Sequence, residues 1–174
     1  MALPDAYLTV QEAEEFSLRV ADLAAWSAAD DDAKGRALIQ ASDELDTLLY
    51  EGLPYGDWLR GVRGAQPRAF PRFVPYEPSQ WMIGKQAVQG ETWDLDSGRN
   101  PIVPEKVKLA AFLQALSILR DPARAARLRE QYDGVASQSA GGQSEAYQGN
   151  APQIVCLEAA RLLQPYVLKS GRVV

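Results

Sequence analysis

The segment Pro101 to Leu119, PIVPEKVKLAAFLQALSIL, constrains this chain more than any other. A proline is tolerated in the first turn of a helix, where its missing N–H has no partner to lose, so Pro104 is predicted there. Glu105 falls near the positive end of the helix dipole and Arg120 near the negative end. Val107, Ala111, Leu113, Leu116 and Leu119 recur for the most part at three- and four-residue spacing. Ala110, Phe112, Ala115 and Ile118 widen the stripe. An apolar surface that broad predicts a central helix packed on more than one side, with the rest of the chain laid against it.

The chain has 174 residues, enough for one domain with a substantial core, and 47% of them are hydrophobic, too many for a disordered tail. No apolar run approaches the roughly 20 residues that span a bilayer. The start, MALPDAYLTVQEAEEF, has no basic segment followed by an apolar one, so no signal peptide is expected. Cys156 is the only cysteine, which excludes an intramolecular disulfide and fits a reducing compartment. There is no histidine. That removes the commonest general base, the Ser-His-Asp and Cys-His arrangements and every His-containing zinc site. A carboxylate-based hydrolase needs two acids with separated pKa values in a cleft, and the sequence nominates no such pair. The expectation is a protein that is not an enzyme, with no catalytic residue, metal or cofactor.

Charge is unevenly spread. Residues 1–60 carry 4 basic and 13 acidic side chains, a balance of −9, and residues 61–174 carry 14 basic and 10 acidic, a balance of +4. An acidic front and a basic back suit head-to-tail contact between subunits or contact with an acidic partner; two ordinary solvated surfaces explain them as well.

Thr9-Val10-Gln11-Glu12 matches a capping box. The helix after it is expected to bury Ala13, Phe16, Val20 and Leu23, with Trp26 near its end. Asp30, Asp31 and Asp32 lack the alternating ligands, turn glycine and distal Glu of a calcium loop, so they read as cap and dipole compensation. A second helix is predicted from about Ala33 to Tyr50, with Ala37, Leu38, Ala41, Leu45, Leu48 and Leu49 on its apolar face. Asp43, Glu44, Asp46 and Glu51 are then on or near the polar face. Gly52 and Pro54 end it.

From Gly52 to Pro104 prolines and aromatics alternate without a helical period. So long a loop is unusual in a compact domain. Its aromatics need something to pack on, which predicts an ordered crossing segment, with a strand pair from Trp81–Gly84 and Glu91–Leu95. Arg60, Arg63, Arg68 and Arg72 are interleaved with Trp58, Phe70 and Phe73. These rings read as core anchors with arginines facing solvent or a neighbouring subunit. The alternative, over 58–73, is a grip on single-stranded nucleic acid by phosphate contact and base stacking.

After the central helix, Asp121-Pro122 restarts a short helix through AARLREQY. Val135 to Asn150 is Ser- and Gly-rich, and reads either as a flexible loop or as a β-hairpin arm with Gly141-Gly142 at its tip. A last helix is expected from near Pro152 to Pro165, packing Val155, Cys156, Ala159, Leu162, Leu163 and Tyr166, with Cys156 in the core. The whole is predicted to be mainly α: a small bundle of four to five helices, its core over about 9–50 and 101–166. To that bundle are added a long ordered Pro/aromatic-rich loop at 52–100, an extended arm at 134–151 and a C-terminal tail at 167–174.

In order and in kind, these segments resemble the head–tail connector (adaptor, or head-completion) proteins of long-tailed bacteriophages and prophages. AYLTVQEAEEF is similar to the family's opening, a Tyr followed by Ser/Thr-x-x-Glu-Ala. ALIQASDELDTLLYEG resembles its second helix, which ends in an aromatic and Gly. Gln66-Pro67-Arg68-Ala69-Phe70-Pro71-Arg72 resembles its Q-x-L-x-W-P-R segment, with Phe70 where Trp is usual. IVPEKVKLAAFLQALSIL resembles its I-P-x-x-V-x-x-A helix. The Ser/Gly-rich stretch with Glu145 and Tyr147, and the closing Leu-Leu-x-Pro-Tyr, complete the set. Residues 73–100 are longer than the typical connection.

The resemblance implies one connector domain over 1–174 that assembles as a ring under the portal, extends the DNA channel and offers a platform to the tail or a stopper. The implied partners are the portal protein, other copies of the chain in a ring (twelve-fold to match a portal), a tail or head-closure protein, and passing DNA without sequence specificity. No membrane is involved. The implied location is the virion neck, after synthesis in the host bacterial cytoplasm. An acidic channel face repels phosphate and lets DNA slide. Partner contacts are expected from the tail, through Tyr166, Val167, Leu168, Lys169, Arg172, Val173 and Val174, and from the arm, through Gly141, Gly142 and Tyr147. Some relatives carry a DnaT-like, single-stranded-DNA-binding label, which keeps the nucleic-acid alternative in view.

Overall fold

Helical periodicity becomes helix in the computed structural model, which describes residues 6–60, 64, 66–75, 90–92, 102–132, 137–140, 143–146 and 155–167. The elements are α1 (Val10–Ser17), α2 (Ala24–Ala28), α3 (Asp31–Asp46), β1 (Leu53–Pro54), α4 (Tyr55–Arg60), β2 (Arg72–Pro75), β3 (Gly90–Thr92), α5 (Glu105–Arg120), α6 (Pro122–Tyr132), β4 (Ser137–Ala140), β5 (Gln143–Ala146) and α7 (Leu157–Leu163). The fold is mainly α. Pro104 stands one residue before the first turn of α5, as its N-cap. Val107, Ala110, Ala111, Phe112, Gln114, Ala115, Leu116 and Ile118 are buried, and α1, α2, α3, α6 and α7 all pack on α5. Alanine at three of these positions lets neighbouring backbones approach closely, and burial of the larger side chains supplies about 1.5–3 kcal/mol each.

The capping box forms. Glu12 N donates to Thr9 Oγ1 at 3.1 Å, and Thr9 N donates to Glu12 Oε2 at 2.8 Å. Lys108 Nζ on α5 reaches the other Glu12 oxygen at 2.5 Å, so the cap also fastens α1 to the central helix. Thr9→Ala is expected to lower unfolding free energy by about 0.5–2 kcal/mol, read from urea denaturation.

The first helix is shorter than its pattern predicts. It ends at Ser17, whose Oγ donates to the Glu14 carbonyl at 2.7 Å. Trp26 lies on a separate helix, α2, and Val20 and Leu23 are half-buried in the connection. In one continuous helix Trp26 would fall about 80° around the axis from Phe16. The break turns the indole into the core, edge-on to Phe112 at 5.1 Å, with its Nε1–H donating to Glu14 Oε1 at 3.0 Å. Lys34 Nζ meets the same carboxylate oxygen at 2.6 Å.

The triple Asp acts as a cap: Asp30 Oδ1 accepts from Ala33 N at 2.7 Å, and Asp31 and Asp32 fill the first turn of α3. That helix stops at Asp46, not at Tyr50. Beyond it Leu48 is half-buried, but Leu49 is 75% exposed and does not belong to the apolar face. Gly52 takes a φ of 80°, the left-handed region that a side chain disfavours, and lets the chain leave the helix end for β1.

The middle segment is ordered in part. β1, β2 and β3 form a three-stranded antiparallel sheet, with Leu53 opposite Phe73 and Phe73 opposite Thr92. The strand near Glu91 therefore pairs with Arg72–Pro75; the other predicted partner, 81–84, lies outside the described residues. The Ser/Gly-rich stretch contains an antiparallel ladder, from Ser137 opposite Ala146 to Ala140 opposite Gln143. In α7 the first helical residue is Leu157. Cys156 is its N-cap and only half-buried, so it edges the core and does not sit inside it.

Two acids at these joints are held below their ordinary carboxylate range. For Glu14 the causes are the bond from Lys34, against some burial, then the Trp26 N–H. For Glu12 burial works the other way but is outweighed by the bonds from Lys108 and Thr9. Depressed folded-state values mean full stabilisation above the ordinary carboxylate range, lost as pH falls through the folded-state values. The thermal midpoint should therefore drop on acidification, and Glu14→Gln should flatten the drop.

Candidate functional site

Four distant segments meet around Phe70. The ring is 2% exposed and packs edge-on against Tyr7 at 6.0 Å, Tyr50 at 4.7 Å and Tyr166 at 5.5 Å. Tyr7 precedes α1, Tyr50 follows α3, and Tyr166 follows α7. The backbone closes the same joint: Glu51 N donates to Tyr166 O at 2.9 Å, and Tyr50 and Val167 form an antiparallel bridge. Burial and the neighbouring Asp46 carboxylate, which accepts from the Tyr7 hydroxyl, push the Tyr7 pKa up, and burial does the same for Tyr50.

The two arginines beside Phe70 are turned inward. Arg72 is buried, with Nε donating to Glu51 O at 2.6 Å, Nη1 to Ala69 O at 3.2 Å and Nη2 to Tyr50 O at 3.2 Å and to Gly52 O. Its guanidinium also lies 5.7 Å from the Tyr50 ring centre. Burial lowers its pKa. Arg68 pairs with Asp43 at 2.6 Å and Asp46 at 3.1 Å; burial opposes its charge, but those carboxylates outweigh it and raise the pKa. These contacts correct the expectation that Arg68 and Arg72 face solvent. Arg68 holds the loop to the last turn of α3, and Arg72 holds it to the turn that follows that helix. A five-donor fork suits a turn that presents several backbone carbonyls to one point. Nearby, Asp57 accepts from Gly64 N and Gln66 N, and Gln66 Nε2 donates to Arg68 O and Pro71 O.

A second polar assembly lies across α5. Glu44 is 3% exposed, against the expectation of a solvated face. Its carboxylate accepts from Gln40 Nε2 at 2.9 Å and Gln114 Nε2 at 2.5 Å, and Gln114 Oε1 accepts from Cys156 N at 2.7 Å. One buried amide thus ties α3, α5 and the start of α7. No apolar period marks Glu44 as buried; the signal available was Gln114 inside the apolar stripe of α5, which needs a polar partner there. The relay floors a cleft of about 420 Å³ whose walls include Arg124 and Leu128 of α6 and Leu157 of α7. Burial raises the Cys156 thiol pKa, which leaves it a poor nucleophile.

Of the residues predicted to contact partners, Tyr166 is taken up by the aromatic joint and Val167 is half-buried beside Tyr50. Leu168, Lys169, Arg172, Val173, Val174, Gly141, Gly142 and Tyr147 lie outside the described residues. Among the described residues no cluster of acidic, Cys or His side chains has the makings of a metal site, and no helix is long and apolar enough to cross a membrane. The chain matches no family model, no curated protein and no solved structure.

Proposed function

We propose that this protein is a head–tail connector of a long-tailed bacteriophage or prophage, a structural virion protein that forms a ring under the portal and continues the DNA channel. The observation that carries the reading is the joint at Phe70. Four of the segments that resemble the connector family bring residues to it: Tyr7 from the opening, Asp46 and Tyr50 from the end of the second helix, Phe70 and Arg72 from the Q-x-L-x-W-P-R-like segment, and Tyr166 from the closing Leu-Leu-x-Pro-Tyr. Motifs scattered over the chain thus share one structural task, as expected of fold signatures. In this reading a bundle of four to five helices is the body of each subunit. The loop at 52–100 crosses it, and the arm at 134–151 and the tail at 167–174 reach the portal, a neighbouring subunit or the tail machinery. The reading needs no catalytic residue, and its partners recognise surface shape and charge.

Light scattering with and without the portal protein of the same genome tests it. The expected result is a ring, or a monomer that joins the portal in ring stoichiometry. A monomer that ignores the portal and retards single-stranded DNA at physiological salt refutes the reading in favour of a nucleic-acid-binding module. Deleting 167–174 should weaken portal capture; unchanged capture removes the tail from the contact.

A further inference from the structure

The ladder of β4 and β5 is a sheet of two strands, and among the described residues no third strand joins it. No helix packs broadly on it either; the helices converge on α5. A hairpin of two strands is marginal in water by itself. This one brings no hydrophobic face, since Ala140 and Ala146 are its only apolar residues. Natural edge strands are guarded by charge, proline or a bulge. β4, with the sequence SQSA, has none of these, and β5, QSEA, has the single charge of Glu145.

The register shows which backbone groups could take a further strand. Ala140 and Gln143 close the hairpin on either side of a two-residue connection. The closing pair of such a hairpin is hydrogen-bonded, and bonded and non-bonded pairs alternate from there. Gln138 and Glu145 are then the next bonded pair. Ser139 and Ser137 turn their N–H and C=O groups to the outer edge of β4, and Ser144 and Ala146 turn theirs to the outer edge of β5. We propose that β4 of one copy of this chain pairs with β5 of the next, so that neighbouring hairpins join into one continuous sheet. The two edges belong to different strands, and a head-to-tail contact covers both with one kind of interface. A two-fold pairing of β4 with β4 leaves every β5 edge open. Rotation about a ring axis keeps all hairpins pointing the same way, so β5 and the next β4 run antiparallel and each copy extends the ladder in the sense already set within the hairpin. Closure of the ring then removes the edges. The proposal rests on the connector reading for its ring, and names the contact that the arm makes there.

Proline substitution is the test. Ser139→Pro removes an outward N–H of β4 and Ser144→Pro one of β5, and neither takes a bond from the hairpin itself. Masses are followed by light scattering against concentration at low and high salt. The wild type should associate at both salts, because the contact is between backbones. Each proline variant alone should associate more than about ten-fold more weakly, whereas Ser139→Ala and Ser144→Ala should behave as the wild type. An equimolar mixture of the two proline variants should stop at dimers, in which the intact β5 of one meets the intact β4 of the other, a result that a folding defect cannot imitate. A wild type that stays monomeric or dissociates in high salt, a proline variant that associates normally, or a mixture that stays monomeric or grows past dimers overturns the proposal. Portal capture is scored separately. Capture with ring stoichiometry by the wild type and both proline variants leaves the connector reading standing without this contact, whereas wild-type association and a dimeric mixture with no capture do the reverse.

Discussion

Phe70→Ala should be the most damaging single truncation in the described core, lowering unfolding free energy by about 3–5 kcal/mol in urea denaturation. The phenyl ring is 2% exposed and is the common partner of Tyr7, Tyr50 and Tyr166. Its loss removes the buried area, opens a cavity between rings that other contacts hold in place, and deletes edge-to-face pairs worth about 0.5–1.5 kcal/mol each. Phe70→Leu refills much of the volume and should cost less. The damage should also be local: amide exchange at Glu51, whose N–H bonds to Tyr166 O, should accelerate more than exchange in the middle of α5. A loss below about 1 kcal/mol would mean that the joint collapses around the gap and that Phe70 does not organise it.

Arg72→Ala should rank next, at about 2–4 kcal/mol, because it strips donors from the carbonyls of Tyr50, Glu51, Gly52 and Ala69 together. Lysine should rescue less than half of this. An ammonium keeps the charge but cannot spread planar donors over carbonyls on two sides, and it also gives up the guanidinium's place over Tyr50. Arg68→Ala makes the contrast. It pairs with the largely exposed Asp43 and the partly buried Asp46 and covers no row of carbonyls, so the loss should be smaller, about 1–2 kcal/mol, and should shrink with salt. Equal losses at the two positions would contradict the division between a buried staple on carbonyls and a partly buried ion-pair network. The same division bears on nucleic acid: both arginines already have partners inside the chain, which weakens the case for a phosphate grip over 58–73.

The helices were legible because their signals are local. The capping box at Thr9, the cap at Asp30, the dipole-matched ends and broad apolar stripe of α5 and the restart at Pro122 each involve residues within a few positions of one another, and backbone geometry follows from them directly. The end of α1 was not legible. Continuing the period to Leu23 is as regular as stopping at Ser17, and what favours the stop is Phe112, far along the chain, waiting for the indole of Trp26. Arginines next to aromatics in a proline-rich stretch look alike whether they face phosphate or carbonyls. Only the spatial neighbour tells, and for Arg72 that neighbour is the turn after α3, some twenty residues earlier.

By itself, then, the sequence determined a mainly α chain with a central helix, the positions of most helix starts, the absence of any histidine chemistry and the polarity of its charge. Tertiary structure alone decided that Glu44 is buried, that Arg68 and Arg72 point inward, that Leu49 points out, and that Tyr7, Tyr50, Phe70 and Tyr166 share one joint. The reason is physical. Caps and periods are set by bonds spanning three or four residues, whereas the burial of a charge or a ring depends on which distant surface closes over it, and that is settled only when the whole chain packs.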